Sequence, residues 1–332
     1  MRLLAAYLVL WSHQHALNGF SEKAIPLIGS SGTLGVYIFF AISGYLNALS
    51  IVRSRSIGIF ITNRFLRIYP ALAVSALFCV VLGAFVSRYG LMDYLIPAGG
   101  SFFDRTAPGS FLWRNSTLLF GIDYQLPGVF ESNPYPKAVN GSLWTLPYEV
   151  RLYIFLAIAC LLCGFHSRIL AIVVFCGFAV LAISGLFVPL LPLWFEKYGT
   201  TFAIVFCSGG LLALVQVEKG IRPAFAVLAA FAALLVVCGH PETAALVAIA
   251  PICVALNYVR LPAFSSPKLD ISYGVYLYAF PIQQLTANVS NSFWVRLVLA
   301  AFIATLLGIL SAKLVEQPML KLKRSRKPAS AG

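Results

Sequence analysis

Long runs of apolar residues follow one another along the whole chain, and short polar stretches separate them. Many of these runs approach the roughly 20 residues that an α-helix needs to cross a bilayer. The pattern predicts an all-α integral membrane protein, a bundle of about ten transmembrane helices. The predicted spans cover residues 3–20, 33–52, 67–87, 143–164, 168–188, 200–217, 224–240, 243–259, 271–290 and 295–315.

The composition agrees with this class. Of the 332 residues, 60% are hydrophobic and only 11% are charged, whereas soluble domains carry about 25% charged residues. A soluble protein with a large core is excluded, since too little polar sequence remains to cover such a core. With no internal repeat and no Gly/Ser linker, we expect one transmembrane domain over residues 1–320 and a basic cytoplasmic tail over residues 321–332.

The net charge of +13 first suggests nucleic-acid binding, but the basic residues lie in short loops and in the tail. That distribution is typical of membrane topology signals, so nucleic acid is not an expected partner. With the N-terminus in the cytoplasm, sixteen Lys and Arg residues lie inside and seven outside, while Arg151 falls within a span. We therefore predict that both termini are cytoplasmic.

One loop is much longer than the others, covers residues 88–142 and is rich in Pro, Gly and Asn. Long ordered loops tend to be functional, so we expect an extracytoplasmic cap over the helices. Its middle, residues 111–122, is predicted to form a short interfacial or half-inserted helix.

The seven cysteines all lie in apolar runs and are expected to fill the core. Cys160 and Cys163 form a single CxxC pair, followed by His166. Since no second ligand pair accompanies it, no metal site is expected.

The first predicted span contains Arg2, His13 and His15. Eleven residues make about three helical turns, so Arg2 and His13 share a face and lie roughly 16 Å apart along the axis. With no clear signal-peptide cleavage site, we expect this helix to be retained. His13 near mid-membrane is a candidate general base, and a histidine that only packs against a neighbouring helix is the equal alternative. His15 points elsewhere and is expected to be structural.

A second polar group is the pair Arg64 and Arg67 in "TNRFLRIYP", at the predicted cytoplasmic start of the third span. Arginines three residues apart are neighbours on a helix, and their forked guanidinium groups suit phosphate. The alternative, a topology signal that contacts lipid headgroups, is favoured when the pair is taken alone.

Two further stretches place polar residues in apolar surroundings. Glu149 and Arg151 lie inside the fourth span, where they form either part of a polar site or a structural ion pair. Asp270, Ser272 and the tyrosines that follow either line a polar cavity or form an interfacial aromatic belt.

Together and in this order, these stretches resemble the bacterial membrane-bound acyltransferase-3 family. The resemblance rests on the Arg2 to His13 spacing and on "LGVYIFFAISGYL", "RFLRIYP", "SLWTLPYE", "ISYGVYLYAFP" and "EQP", and it extends from residue 2 to about residue 320. Each motif is weak alone, but six in register are specific. Tyr37, Arg151 and Ala279 stand where many members of the family have Asp, Gln and His, so Ala279 replaces the histidine that these members have in the ninth helix.

The resemblance implies a ten-helix domain of the bacterial inner membrane that transfers an acyl group, most often acetyl, from acyl-coenzyme A. The implied acceptor is a hydroxyl of an extracytoplasmic or lipid-linked glycan. His13 would be the base or the acyl carrier, Arg2 and Glu149 would complete the catalytic group, and Arg64 and Arg67 would bind the donor. Acetyl-coenzyme A would be a donor substrate, and no metal is implied. A polytopic transporter or flippase of a glycan or lipid precursor is the competing class.

Overall fold

The structure is a computed structural model that describes residues 1–53, 56–97, 100–119, 121–163, 168–184, 197–219, 221–258 and 269–325. Within these ranges, the regular structure is helical and contains no strand, apart from one isolated bridge between Ile25 and Gly29. The all-α prediction is confirmed. The last seven residues of the predicted basic tail lie outside the described residues.

Thirteen α-helices are found in the described residues, and each predicted span overlaps one of them. A 3₁₀ helix at Gly141–Thr145 leads into α6, and a π-helical turn at Ala312–Glu316 joins α12 to α13. The α-helices are α1 Arg2–Leu17, α2 Ser31–Arg53, α3 Ile57–Val86, α4 Leu91–Leu95, α5 Pro108–Thr117, α6 Leu146–Cys163, α7 Arg168–Ser184, α8 Lys197–Lys219, α9 Ile221–Val237, α10 Pro241–Tyr258, α11 Ser272–Thr286, α12 Phe293–Ser311 and α13 Gln317–Ser325.

Four segments of the described chain are long and apolar enough to cross a membrane, and they support a membrane protein. The helices that overlap the other six predicted spans have 15 to 18 residues each. The count of ten crossings and the position of the termini therefore remain predictions. The four segments are Ser31–Val52, Ile57–Val86, Tyr198–Val215 and Phe293–Leu322.

The chain forms two compact units, each assembled from separate stretches of sequence. The first unit comprises Met1–Ala5, Ala24–Ile61 and Arg151–Pro267, and the second comprises Ala6–Lys23, Thr62–Val150 and Lys268–Gly332.

In the first unit, α2 and α8 approach each other closely at two glycines. A side chain at Gly44 would overlap the carbonyl of Phe206, and one at Gly209 would overlap the carbonyl of Ala41. Small residues permit such backbone approach in membrane helix pairs. A buried hydrogen bond of 2.7 Å between the hydroxyls of Ser43 and Tyr153 adds a polar contact inside this unit.

In the second unit, α11 packs against α12 through another pair of glycines. A Cβ atom on Gly274 would lie 2.8 Å from the Cα atom of Gly308. Almost every side chain of α11 is buried, so this helix forms the centre of the second unit.

The predicted cap folds onto the end of α3 that includes Cys79 and Val80. Tyr94 of α4 is fully buried there and donates a hydrogen bond of 2.7 Å to the carbonyl of Val80. The predicted helix at residues 111–122 is present as α5, but it begins earlier, at Pro108. Proline is favoured in the first turn of a helix because the missing N–H would have no partner there.

Candidate functional site

His13 lies on α1 with its ring packed edge-on against Phe280 of α11, and the ring centroids are 5.1 Å apart. Its Nδ1 atom is buried and has no hydrogen-bond partner among the residues that the structure describes. Buried polar groups are normally paired, and the exceptions need an explanation. An imidazole nitrogen with free hydrogen-bonding capacity is suited to proton transfer or to covalent attack.

Gln283 of α11 contacts two residues of α1 that are close to His13 in the sequence. Its Nε2 atom donates two hydrogen bonds of 2.8 Å each, one to the carbonyl of Leu10 and one to Oε1 of Gln14. Leu10 lies three residues before His13 on α1, and Gln14 directly follows His13. Oε1 of Gln283 is buried and has no partner in the described part of the chain.

The 3₁₀ helix approaches the other side of Phe280. A Cβ atom on Gly141 would lie 2.6 Å from a ring carbon of Phe280, so only glycine fits here without a shift. Ser142, the next residue, is fully buried, and its hydroxyl has no hydrogen-bond partner in the described ranges. Tyr135 of the cap contacts the Phe280 ring at a centroid distance of 6.4 Å.

Three polar side chains hold the 3₁₀ helix against α11. Asn140 donates a hydrogen bond of 2.9 Å to the carbonyl of Leu277, and its Oδ1 accepts from the backbone N–H of Ser142. The hydroxyl of Tyr276 donates to the carbonyl of Ser142 and lies 2.6 Å from the hydroxyl of Thr145. The position of Gly141 under Phe280 is therefore fixed by buried hydrogen bonds.

His15 has a different environment from His13. Its Nδ1 lies 3.0 Å from the carbonyl of Trp11, and its ring packs on Trp11 and Phe293 at centroid distances of 4.8 Å each. These contacts are those of a packed structural histidine.

Arg2 is the first residue of α1, and its Nε atom is buried. Because α1 is continuous from Arg2 to Leu17, the predicted helix that carries both Arg2 and His13 is present. Arg2 belongs to the first unit and His13 to the second.

Arg67 forms an ion cluster with Asp270 and Glu316, which we call the Arg67 cluster. Its Nη2 lies 2.8 Å from Oδ2 of Asp270, and its Nη1 lies 3.6 Å from Oε2 of Glu316. Glu316 is only 4% exposed, so the pairing with Arg67 stabilises a buried charge. Arg64 is half-buried one turn earlier on α3.

The helix that overlaps the predicted span 67–87 begins ten residues earlier, at Ile57. The apolar residues of "IGIFITN" extend the helix before the arginines. Arg64 therefore lies about two turns inside α3 rather than at its beginning.

Within the second unit, α11 connects the Arg67 cluster with the surroundings of His13. Asp270 precedes its first residue and accepts hydrogen bonds from the backbone and hydroxyl of Ser272, while Phe280 packs on His13. Ser272 and Phe280 are eight residues apart, which corresponds to about 12 Å along a helix.

Glu149 lies in the first turn of α6, within electrostatic range of Tyr273 and Tyr276. The carboxylate of Glu22 lies within electrostatic range of His13 and accepts a hydrogen bond of 2.6 Å from the Ser12 hydroxyl. The sequence prediction missed Glu22, although it stands in the polar segment that directly follows the first apolar run.

No group of three or more His, Cys, Asp or Glu residues suited to a metal ion occurs in the described ranges. The predicted CxxC group falls partly outside them, because His166 and the side chains of Cys160 and Cys163 are not described. A cleft of about 470 Å³ between α9 and α10 is lined only by apolar residues such as Phe225 and Ile252, which offer no acid-base group.

Comparison with known proteins gives one family and two relatives. The sequence profile of the acyltransferase-3 family, described as an acyltransferase domain, matches residues 1–313. The chain is 28% identical over 336 residues to an O-acetyl transferase of Shigella phage Sf6, covering 96% of this chain and 94% of that relative. It is 29% identical over 367 residues to Nodulation protein 10 of Rhizobium leguminosarum bv. viciae, covering 98% and 93%. No solved structure matches the chain significantly.

Proposed function

Because the chain belongs to the acyltransferase-3 family, we propose that it is an O-acetyltransferase that uses acetyl-coenzyme A as its donor. The proposed acceptor is a hydroxyl of an extracytoplasmic or lipid-linked glycan. The similarity to an O-acetyl transferase of Shigella phage Sf6 supports the acetyl group and the oxygen acceptor. The proposed location is the bacterial inner membrane, crossed several times.

The single observation that carries the mechanism is the buried Nδ1 of His13, which has no partner in the described ranges and shares its unit with two further buried atoms that have unmet hydrogen bonds. These atoms, Oε1 of Gln283 and Oγ of Ser142, lie in the same unit, and all three have no partner in the described ranges. Such groups are costly in an apolar interior unless a ligand meets them. A substrate hydroxyl and an acyl carbonyl would supply the missing partners.

His13 accepts the proton of the acceptor hydroxyl while the hydroxyl oxygen attacks the acyl carbonyl. The new C–O bond forms, the C–S bond of the thioester breaks, and the thiolate of coenzyme A takes the proton from the imidazolium. In the alternative order, the imidazole first takes the acyl group, the thiol leaves, and the hydroxyl then attacks the acyl-imidazole. Both orders give the same ester and the same free thiol.

The donor is anionic and cytoplasmic, so its phosphates require cations on the inner side of the membrane. We assign the phosphate contacts to Arg64 and Arg67, whose forked guanidinium groups are neighbours on α3. Arg67 also pairs with Asp270 and Glu316. Arg67 then fixes the beginning of α11, and the long arm of coenzyme A follows this helix toward His13. Glu149 supports the polar surroundings of the tyrosines on α11.

The proposed function is tested with purified protein in nanodiscs, acetyl-coenzyme A labelled in the acetyl group, and a glycan fraction from the host. We expect label in an alkali-labile ester on the glycan and release of one free thiol for each ester formed. In parallel, deletion of the coding sequence should remove acetyl from the surface glycan, and reintroduction should restore it. Label that never reaches the glycan, with unchanged acetylation in the deletion strain, contradicts the proposal.

A further inference from the structure

We propose that Gln283 binds the acceptor by taking a hydrogen bond from the hydroxyl next to the one that reacts. The inference rests on the proposed function and gives it a substrate class, a saccharide with two neighbouring hydroxyl groups. It concerns an atom that has no role in the reaction steps described above, namely Oε1 of Gln283.

The carboxamide of Gln283 is held in one orientation. Both hydrogens of its Nε2 are used, one by the carbonyl of Leu10 and the other by Oε1 of Gln14. Gln14 and Gln283 are 1% and 2% exposed, so water does not compete for these bonds. The carbonyl oxygen of Gln283 therefore has a fixed position and remains without a donor in the described ranges.

This oxygen belongs to the surroundings of His13. Gln283 bonds to Leu10, three residues before His13, and to Gln14, the residue that follows it. Phe280, one turn before Gln283 on α11, packs on the imidazole. A ligand that donates to Oε1 of Gln283 is thereby brought next to Nδ1 of His13, which has no partner in the described ranges either.

Two neighbouring hydroxyls on a sugar ring match this pair of atoms. One hydroxyl gives its proton to His13 and becomes the nucleophile, and the other donates a hydrogen bond to Gln283. A single alcohol or a deoxy sugar would leave Oε1 of Gln283 buried and unpaired, which is the situation in which hydrogen-bonding sites discriminate most strongly.

The neighbouring residue Gln284 provides a matched control within the same helix. It is also buried, but its Nε2 donates to the carbonyls of Tyr135 and Ala138, and its Oε1 accepts from Asn133. All of its hydrogen bonds serve to attach the cap, so its loss should affect stability and leave acceptor discrimination unchanged.

The test uses the full chain in nanodiscs, labelled acetyl-coenzyme A, and as acceptor probes methyl glycosides of glucose, galactose and rhamnose with their monodeoxy analogues. For the unaltered protein we expect at least one deoxy analogue to show an acceptor KM raised about tenfold over its parent. Gln283→Leu should raise the KM of the parent glycoside by about the same factor and abolish the difference between parent and analogue. The donor KM should stay unchanged.

The control Gln284→Leu should lower the thermal unfolding midpoint but keep the difference between parent and deoxy analogue. If Gln283→Leu does not fold, Gln283→Met, which conserves length and volume, serves in its place. A preserved difference in the Gln283 variant, or equal behaviour of the Gln283 and Gln284 variants, would overturn the inference while the proposed function stands. Failure of the unaltered protein to label any saccharide probe or host glycan would overturn both.

Discussion

At the scale of single residues, the two histidines of α1 show how environment assigns roles. His13 has a buried nitrogen without a partner in the described ranges, whereas His15 contacts the carbonyl of Trp11 and packs between aromatic rings. The two histidines therefore differ in whether Nδ1 has a hydrogen-bond partner in the described ranges.

Replacing His13 tests that difference. His13→Ala and His13→Gln should lower acetyl transfer to glycan by about 100-fold or more, since general acid-base groups typically contribute that much. His15→Ala should retain activity within a few-fold when the amount of folded protein is matched by gel filtration. Full transfer by a well-expressed His13→Ala protein would refute its role.

The two arginines of α3 should respond differently to truncation. Arg67→Ala leaves Glu316 buried without its cation, which destabilises proteins by roughly 3 kcal/mol, so its thermal midpoint in nanodiscs should fall by several degrees. Arg64→Ala should instead raise the apparent KM for acetyl-coenzyme A about tenfold, because one charge-assisted contact is lost. If Arg64→Ala lowered the thermal midpoint and Arg67→Ala raised the KM for acetyl-coenzyme A, the roles of the two arginines would be exchanged.

Sequence reasoning found some of these residues and missed others for a physical reason. His13 and Arg67 could be identified because both are polar residues inside apolar runs. His13 stands eleven residues after Arg2, and Arg67 stands three residues after Arg64. Gln283 and Ser142 did not, because uncharged polar residues are common in membrane helices and only their tertiary neighbours reveal an unmet hydrogen bond. Glu22 was passed over because it follows the apolar run rather than interrupting it.

At the scale of secondary-structure elements, hydropathy located the helices well and their ends poorly. The apolar residues before Arg64 extend α3 back to Ile57, whereas the predicted span begins only at Arg67. The predicted fourth span also includes residues 143–145 of the 3₁₀ helix at Gly141–Thr145. The sequence does not reveal this separate turn, because it depends on Asn140 and Tyr276 rather than on apolar periodicity.

The close contact between this 3₁₀ helix and α11 can be tested at Gly141. Gly141→Ala places a methyl group against the Phe280 ring, so Phe280 must move, and it carries the ring that packs on His13. We expect a loss of kcat of about tenfold or more, since small misplacements at a reacting centre are costly. The control Gly177→Ala in α7, where no atom would lie within 4 Å of the new methyl, should leave transfer unchanged.

At the scale of the whole molecule, each compact unit gathers segments that are far apart in the sequence. The first unit takes residues from near position 1, from 24–61 and from 151–267, and the second takes the stretches between and after them. The sequence could predict that the helices are apolar on many sides, but not which helices become partners. Pairs such as α2 with α8 depend on where glycines such as Gly44 and Gly209 face each other in three dimensions.

The predicted topology is the last test, and it concerns every crossing at once. Sixteen basic residues inside against seven outside favour cytoplasmic termini and an extracytoplasmic cap at residues 88–142. A fluorescent protein fused after the C-terminus should therefore fluoresce, and alkaline phosphatase inserted in the cap near Phe103, which is 70% exposed, should be active.

The exchanged reporters serve as controls: phosphatase at the C-terminus and a fluorescent protein at Phe103 should both be silent. An active C-terminal phosphatase would mean an odd number of crossings after a cytoplasmic N-terminus. With an odd number of crossings, the positively charged tail would lie outside the cytoplasm, on the opposite side of the membrane from the place where acetyl-coenzyme A is made.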